Sequence, residues 1–310
     1  MKLLKKKDSL LYLVLLAFIF VSSSALSISG ELQSIIKKVP VRARENKVFS
    51  PIPVLSKGAT FPILSSQGAL AVDLESGISL YEKNSDGPLL PASTTKIVTA
   101  LVTLDTYPLD QILKVGFTRV DGQKMGLRTG GEMRVEDLLY GLLVYSANDA
   151  AEVLAQNYPA GYNAFISAMN VKAAELSMIN SYFDNPVGLD TSGQHSTAKD
   201  LVRVSEVAMR NPEFAKIVAT KQITVHDASG RISYNLRNIN QLLGSVPGVL
   251  GVKTGWTENA RENLVTYMER DGHKIMIAVL GSQDRFGETR ELIDWIFTNY
   301  EWQNVALPSN

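Results

Sequence analysis

Two segments of alternating apolar and polar residues lie far apart in this sequence, and together they constrain its fold more than any other feature. Residues 68–83 alternate on both sides of a turn signal at 75–77, and residues 263–281 alternate around an Asp-Gly pair at 271–272. Each pattern predicts a β-hairpin. Four segments between them repeat apolar residues at helical spacing: 134–146, 148–158, 162–178 and 197–210. The order of strands, helices and strands predicts an α/β fold.

A last helical pattern covers residues 287–300 and has an apolar face that should pack back on the sheet. We therefore expect an antiparallel sheet with flanking helices, formed by about 62–105 and 218–300, plus an inserted all-helical lobe from about 106–217. The catalytic domain would then span 62–310.

The N-terminus has the pattern of an export signal. A lysine-rich start precedes an apolar run at 10–21 and small residues up to Ala25, so 1–25 is predicted to be a signal peptide. Because the apolar stretch approaches the ~20 residues that span a bilayer, an uncleaved membrane anchor is the alternative. Residues 26–61 mix basic residues with prolines and are predicted to be a tether. The protein is thus expected to be exported, periplasmic or extracytoplasmic, with possible N-terminal membrane attachment.

Composition excludes several classes of function. The chain has 31 basic and 31 acidic residues, so no net field attracts nucleic acid. It has no cysteine, which excludes disulfides, thiolate metal sites and a cysteine nucleophile. The three histidines lack metal-ligand spacing, and no phosphate loop or dinucleotide fingerprint is present, so we expect neither metal nor cofactor.

Ser93 and Lys96 carry the first chemical signal. Pro91 favours a helix start, which places both side chains on one face at the N-terminus of an otherwise apolar helix. A serine becomes a nucleophile when a base accepts its proton, and a lysine is a base only when neutral. Lowering a lysine pKa from ~10.4 to about 7 or 8 takes roughly 4 kcal/mol, of which the helix dipole supplies ~0.3 to 1 kcal/mol. The pair therefore requires burial and a second positive group.

Two further motifs give this pair its context. A lone Ser-x-x-Lys has little weight, because Ser34 and Lys37 share the spacing without any such context. Tyr-Ser-Ala-Asn-Asp at 145–149 and Lys-Thr-Gly at 253–255 follow the first motif in the chain. Lys253 can supply the second positive group.

In this order, Ser-x-x-Lys, Ser-x-Asn and Lys-Thr-Gly resemble the motifs of the serine D-alanyl-D-alanine carboxypeptidases, the low-molecular-mass penicillin-binding proteins. The similarity is strongest over 91–102, 135–155, 183–201 and 248–257. It implies a β-lactamase/DD-peptidase-like fold and removal of the terminal D-alanine of peptidoglycan stem pentapeptides. β-Lactams would then be covalent inhibitors.

The resemblance also implies roles for single residues. Ser93 would be the acylated nucleophile and Lys96 its proton acceptor, while Ser146 and Lys253 would pass the proton to the leaving D-alanine. Asn148 would bind the substrate's peptide carbonyl.

An oxyanion hole and a carboxylate site complete the implied assignment. The backbone N–H groups of Ser93 and Trp256 would form the oxyanion hole. Thr254 and Arg285 would bind the terminal carboxylate, with Arg285 placed by its position ten residues before the final tryptophan of the family pattern.

The sequence departs from the family pattern at Arg261, where a glycine is common, and a solvated charge is the favoured reading there. A structural role is favoured for His195. Rival functions remain a DD-endopeptidase, a class A-like β-lactamase, and a penicillin-sensing or wall-binding module without turnover. The segment 183–190 lacks the Glu-x-x-Leu-Asn signature that the β-lactamase would need.

Overall fold

A computed structural model describes residues 50–304. The predicted signal peptide or anchor and most of the predicted tether lie outside the described residues. Within 50–304, no helix is both long and apolar enough to cross a membrane.

Eleven strands are described, and five of them form the main sheet in the order β3-β2-β10-β9-β8, with antiparallel pairing throughout. The strands are β1 (Ile52–Leu55), β2 (Gly68–Asp73), β3 (Ser79–Lys83), β4 (Ile112–Lys114), β5 (Glu132–Arg134), β6 (Gln222–His226), β7 (Ser233–Arg237), β8 (Val249–Thr257), β9 (Arg261–Arg270), β10 (His273–Ser282) and β11 (Tyr300–Gln303). The remaining six strands form three two-stranded sheets.

Seven α-helices are described, most of them between β3 and β6. They are α1 (Lys96–Thr106), α2 (Val135–Leu143), α3 (Asn148–Gln156), α4 (Tyr162–Glu175), α5 (Ala198–Met209), α6 (Pro212–Val218) and α7 (Arg285–Asn299). This arrangement of an antiparallel sheet with flanking helices confirms the predicted fold class.

Both predicted hairpins form. Strands β2 and β3 pair on either side of the predicted turn, and β9 and β10 pair from His273 opposite Arg270. Asp271 and Gly272 both have positive φ, at 54° and 82°, which suits the two-residue hairpin turn that an Asp-Gly pair favours.

The sheet buries both faces, because helices cover each of them. On β2, Ala69 and Ala71 belong to one apolar cluster while Leu70 belongs to the other. The smaller cluster packs against α7, and the larger one is shared with α1 to α6. Alternation along each strand thus predicts the two cores, because successive side chains point to opposite faces.

The last residues of the predicted tether include a strand. Strand β1 (Ile52–Leu55) pairs with β11 in antiparallel register, and the indole Nε1 of Trp295 donates to the carbonyl of Thr60 at 2.6 Å. Prolines at 51 and 53 suggested a linker. Proline is nevertheless tolerated in an edge strand, because the backbone N–H that it lacks is not needed on the unpaired edge. The division of the catalytic domain into an α/β lobe and a helical lobe stays a prediction.

Candidate active site

Ser93 lies in a short 3-10 helix, Ala92–Thr95, directly before α1. Ala92 has a positive φ of 48°, so the chain turns sharply just before the serine. Two glycines make room for this turn. A Cβ on Gly188 would lie 1.9 Å from the carbonyl oxygen of Ala92, and a Cβ on Gly255 would lie 3.0 Å from the backbone nitrogen of Ser93. Strand β8 and the loop at 188 therefore both pack closely against the serine.

Lys96 is fully buried, and its ammonium nitrogen lies between three oxygen atoms. Nζ is 2.9 Å from Ser93 Oγ, 2.7 Å from Asn148 Oδ1 and 2.6 Å from the carbonyl oxygen of Val187. Burial lowers the pKa of Lys96 from 10.5 to about 7. A neutral amine beside the serine hydroxyl is therefore accessible near neutral pH, as general-base catalysis requires.

Ser146 and Lys253 form a second serine–lysine pair across the cleft. Ser146 has a positive φ of 61° in the connection between α2 and α3, and Lys253 lies on β8. Lys253 Nζ is 2.8 Å from Ser146 Oγ and 2.9 Å from the carbonyl oxygen of Thr254. Burial lowers the pKa of Lys253, and the charges of Lys96 and Arg285 lower it further.

Asn148 is held at both ends of its amide. Its Oδ1 accepts from Lys96, and its Nδ2 donates to the carbonyl oxygen of Asp121. Gly122 permits this approach, because a Cβ there would lie 2.9 Å from Asn148 Nδ2. A substrate carbonyl would therefore have to share or replace the Asp121 contact in order to accept from this amide.

Thr254 and Arg285 both line the cleft. The guanidinium Nη1 of Arg285 donates to the carbonyl oxygen of Gly255 at 2.7 Å, and its charge lies 4.8 Å from the ring centre of Phe286. Among the described residues, two buried polar atoms here lack a partner: Thr254 Oγ1 and Arg285 Nε. A carboxylate accepts hydrogen bonds from groups of both kinds.

A cleft of about 570 Å³ brings the sequence-predicted residues together. Its lining includes Ser93, Ser146, Asn148, Thr254, Trp256 and Arg285. Lys96 and Lys253 lie directly behind the two serines that they contact. The Trp256 side chain is 62% exposed, so it stands at the rim.

Comparison with known proteins decides the family. The family model described as D-alanyl-D-alanine carboxypeptidase matches residues 56–284, which is most of the chain. The chain belongs to the D-alanyl-D-alanine carboxypeptidase family.

Relatives within the family differ in their named activities. A D-alanyl-D-alanine carboxypeptidase of Bacillus subtilis is 29% identical over 246 residues, which cover 76% of this chain and 63% of the relative. The chain thus matches less than two thirds of that relative's length. A D-alanyl-D-alanine endopeptidase of Pseudomonas aeruginosa is 34% identical over 254 residues, covering 79% of this chain and 81% of the relative. The crystal structure of the Streptomyces K15 DD-transpeptidase is 30% identical with a TM-score of 0.71, covering 77% of this chain and 100% of that one.

Asp149 is a site residue that the sequence analysis missed. Its buried carboxylate accepts from the backbone N–H groups of Met125, Gly126, Leu127 and Ala150. These bonds fix the loop that carries Asp121 and Gly122 against Asn148. In this protein, Asp149, the last residue of the Ser-Ala-Asn-Asp motif, therefore holds one wall of the cleft in place. Its sequence signal was an acidic residue in the first turn of α3.

His195 and Arg261 lie outside the cleft lining. His195 Nδ1 contacts the carbonyl oxygen of Gly193 at 2.7 Å, and its backbone pairs with Tyr182. Arg261 is exposed, with a positive φ of 57° at the start of β9. A positive φ explains why glycine suits this position in the family pattern.

Proposed function

We propose that the protein is a serine D-Ala-D-Ala carboxypeptidase that trims the terminal D-alanine of peptidoglycan stem pentapeptides through an acyl-enzyme at Ser93. The observation that carries this proposal is the 2.9 Å contact between Ser93 Oγ and the Nζ of a buried Lys96 whose pKa is lowered to about 7. It supplies a nucleophile and a base at one point of an open cleft.

Acylation follows from the two serine–lysine pairs. Neutral Lys96 accepts the Ser93 proton as Oγ attacks the carbonyl carbon of the penultimate D-alanine. The tetrahedral oxyanion is stabilised by the backbone N–H groups of Ser93 and Trp256, which the close passage of β8 at Gly255 brings near each other. The proton taken up by Lys96 passes by way of Ser146, contacted by Lys253, to the leaving amine as the peptide bond breaks, and Lys96 is neutral again.

Deacylation uses the same base. Lys96 accepts a proton from water as the water attacks the Ser93 ester, and it returns that proton to Ser93 Oγ when the ester bond breaks and the shortened peptide is released. In a penicilloyl adduct, the retained leaving group keeps water out of this position. The carboxylates of the segment 183–190 are already engaged, since Asp184 accepts from Thr191 Oγ1 and Asp190 from Thr257 Oγ1. β-Lactams are therefore expected to inhibit the protein rather than be hydrolysed rapidly.

Selection of a free C-terminus rests on Thr254 and Arg285. Both residues line the cleft, and each carries a buried polar atom, Thr254 Oγ1 and Arg285 Nε, that has no partner among residues 50–304. Burial lowers the pKa of Arg285 from its usual value, the charge of Glu262 raises it, and the guanidinium stays cationic at neutral pH. A charged, desolvated donor favours the carboxylate form of the substrate.

The substrate implies an extracytoplasmic location, and the lysine-rich, apolar N-terminus supports export. We propose secretion through this signal, with attachment to the membrane if it is not cleaved. Size comparison of the mature protein with the full-length chain tests cleavage after Ala25.

Release of D-alanine from a pentapeptide ending in D-Ala-D-Ala tests the function. Sustained turnover supports the carboxypeptidase, whereas a single stoichiometric burst would support the penicillin-sensing alternative. Rapid regeneration of active protein after benzylpenicillin treatment would instead support a β-lactamase.

A further inference from the structure

Two charged side chains belong to the described lining of the cleft, and the proposed mechanism uses one of them. They are Arg285, assigned to the terminal carboxylate of the substrate, and Glu258. Glu258 follows β8 directly and is exposed. Within residues 50–304, its carboxylate accepts no hydrogen bond and forms no ion pair. The cleft therefore presents a negative charge that is available to a positive group of a ligand.

The turn that carries Glu258 is held in place on both sides of this residue. Thr257 Oγ1 donates to Asp190 Oδ1 at 2.8 Å, and Asn259 Nδ2 donates to Asp190 Oδ2 at 3.2 Å. Both neighbours of Glu258 are thus fixed to the segment 183–190, while the Glu258 side chain itself stays unpaired. A charge carried by a fixed segment loses less entropy on binding than one carried by a mobile loop.

The proposed mechanism determines the direction in which a substrate lies along β8. This strand is the last in the sheet and pairs with β9 alone, so its other edge has no strand partner among the described residues. The terminal carboxylate is assigned to Thr254, and the scissile carbonyl to the backbone N–H of Trp256, two residues further along. A substrate followed from its C-terminus towards its N-terminus therefore advances along β8 towards Glu258.

The length of the substrate brings the third residue of the stem, which precedes D-Ala-D-Ala, within reach of Glu258. Glu258 lies two residues after Trp256, and two residues span at most about 7 Å. The Cα of the third stem residue lies about 3.8 Å from the Cα of the D-alanine whose carbonyl is attacked. A lysine-like side chain carries its ammonium group on a flexible four-carbon stem and can cover the remaining distance.

We propose that Glu258 recognises a free ammonium group on the side chain of the third stem residue, so that the protein prefers stem peptides in which this amine is not acylated. This inference rests on the proposed function. Because the ion pair lies at an exposed position, it contributes little free energy. It therefore selects among stem peptides and is not required for catalysis. Acylation of the amine removes the positive charge, and the preference is lost with it.

Two pentapeptides that differ only in the third side chain test the inference: one has lysine there and the other Nε-acetyl-lysine. In the wild type at low ionic strength, kcat/KM should be about two- to fivefold higher for the lysine peptide. Added salt should reduce this preference, because it screens the charges. Glu258→Gln keeps the size of the side chain and removes its charge, so the ratio of the two kcat/KM values should fall to about one. Glu258→Lys should reverse the preference, because like charges repel.

Glu75→Gln is the matched control, because Glu75 is an exposed glutamate in the turn between β2 and β3 and lies outside the cleft lining. It should keep the wild-type ratio, and this ratio does not depend on the fraction of folded protein. Two outcomes would overturn the inference and leave the carboxypeptidase intact: sustained hydrolysis of both peptides with equal kcat/KM in the wild type, or a preference that survives Glu258→Gln. Failure to hydrolyse either peptide would instead overturn the proposed function.

Discussion

The two serine–lysine pairs of the cleft make nearly the same contact but have different structural origins. Ser93 and Lys96 lie one helical turn apart, and their atoms are 2.9 Å apart. Ser146 and Lys253 are 107 residues apart, yet their atoms approach to 2.8 Å. The first pair needs only a helix start, whereas the second forms only when the connection between α2 and α3 docks against β8. A local pair can therefore occur by chance, and the tertiary pair is what distinguishes this site from an accidental Ser-x-x-Lys.

Removal of the proposed nucleophile, Ser93, gives the largest expected effect and tests whether the two serines are equivalent. Ser93→Ala should abolish covalent labelling by fluorescent penicillin and lower peptide turnover by about 10⁶-fold, since loss of a serine nucleophile removes the whole covalent route. Ser146→Ala should still be labelled at Ser93, though slowly. Mass spectrometry of the adduct decides the site. Label that persists in Ser93→Ala, or that maps to Ser34, would show that the wrong Ser-x-x-Lys was chosen.

Exchange of each lysine for arginine sharpens the comparison, because it keeps the charge and removes the ability to become neutral. Lys96→Arg should lower kcat/KM by about 10²- to 10⁴-fold, as expected for loss of a general base. In the wild type, kcat/KM should rise with pH through about 7, where Lys96 loses its proton. Lys253→Arg should keep this rising limb. If the rise of kcat/KM with pH were lost in Lys253→Arg and kept in Lys96→Arg, Lys253 rather than Lys96 would be the base.

Stability gives an independent measure of the same pKa. Burial lowers the Lys96 pKa to about 7, so between about 7 and 10.5 the unfolded chain binds more protons than the folded one. The free energy of unfolding therefore rises with pH across this window. Urea denaturation at several pH values measures this dependence. Lys96→Met should make the free energy of unfolding rise less steeply with pH. The lowered pKa of Lys253 should still contribute a rise of the same sign. An unchanged slope in Lys96→Met would contradict a lowered pKa at this residue.

Arg285→Ala tests the proposed carboxylate site, which lines the same cleft as Ser93. For peptides with a free C-terminus, kcat/KM should fall by a factor that corresponds to a loss of about 2 to 5 kcal/mol of transition-state stabilisation. This loss is expected when one side of a desolvated charge pair is removed. The matched substrate is the same peptide with an amidated C-terminus, which lacks the charge and should lose much less. Equal losses on both peptides, or none on either, would rule out carboxylate recognition by Arg285.

Sequence periodicity predicted the parts of the fold in which neighbouring residues determine the structure. Both hairpins formed at the predicted turns, and the helical pattern at 148–158 became Asn148–Gln156. The helix at Lys96 also formed, but it is buried on nearly all sides from Lys96 to Thr103 rather than on one face. A pattern of residues at i, i+3, i+4 and i+7 reports one buried stripe, and it does not reveal that the polar threonines of the other face are buried as well.

The sequence predicted the residues of the site from the order of three motifs along the chain. It did not predict the contacts that hold these residues in place. Order along the chain identified Ser146 and Lys253, but no spacing rule indicates that Lys96 Nζ also meets the carbonyl of Val187. Backbone carbonyls carry no sequence signature, so such partners appear only in three dimensions. The strand at Ile52–Leu55 was missed for a related reason, because its partner, β11, lies at the other end of the chain.

The smallest effect is expected at Trp256, where substitution separates the contribution of the backbone N–H from that of the side chain. Its proposed contribution is the backbone N–H, which any residue except proline supplies, and the residue is 62% exposed at the rim. Trp256→Ala should therefore change kcat/KM for the pentapeptide by only about twofold, since an exposed side chain contributes within ~0.5 kcal/mol. The neighbouring Gly255→Ala is the contrast, because its Cβ would lie 3.0 Å from both Ser93 N and Ala92 Cβ and must displace the strand or the serine. A loss with Trp256→Ala as large as that with Gly255→Ala would mean that the indole itself binds substrate, and the oxyanion hole would no longer account for this position.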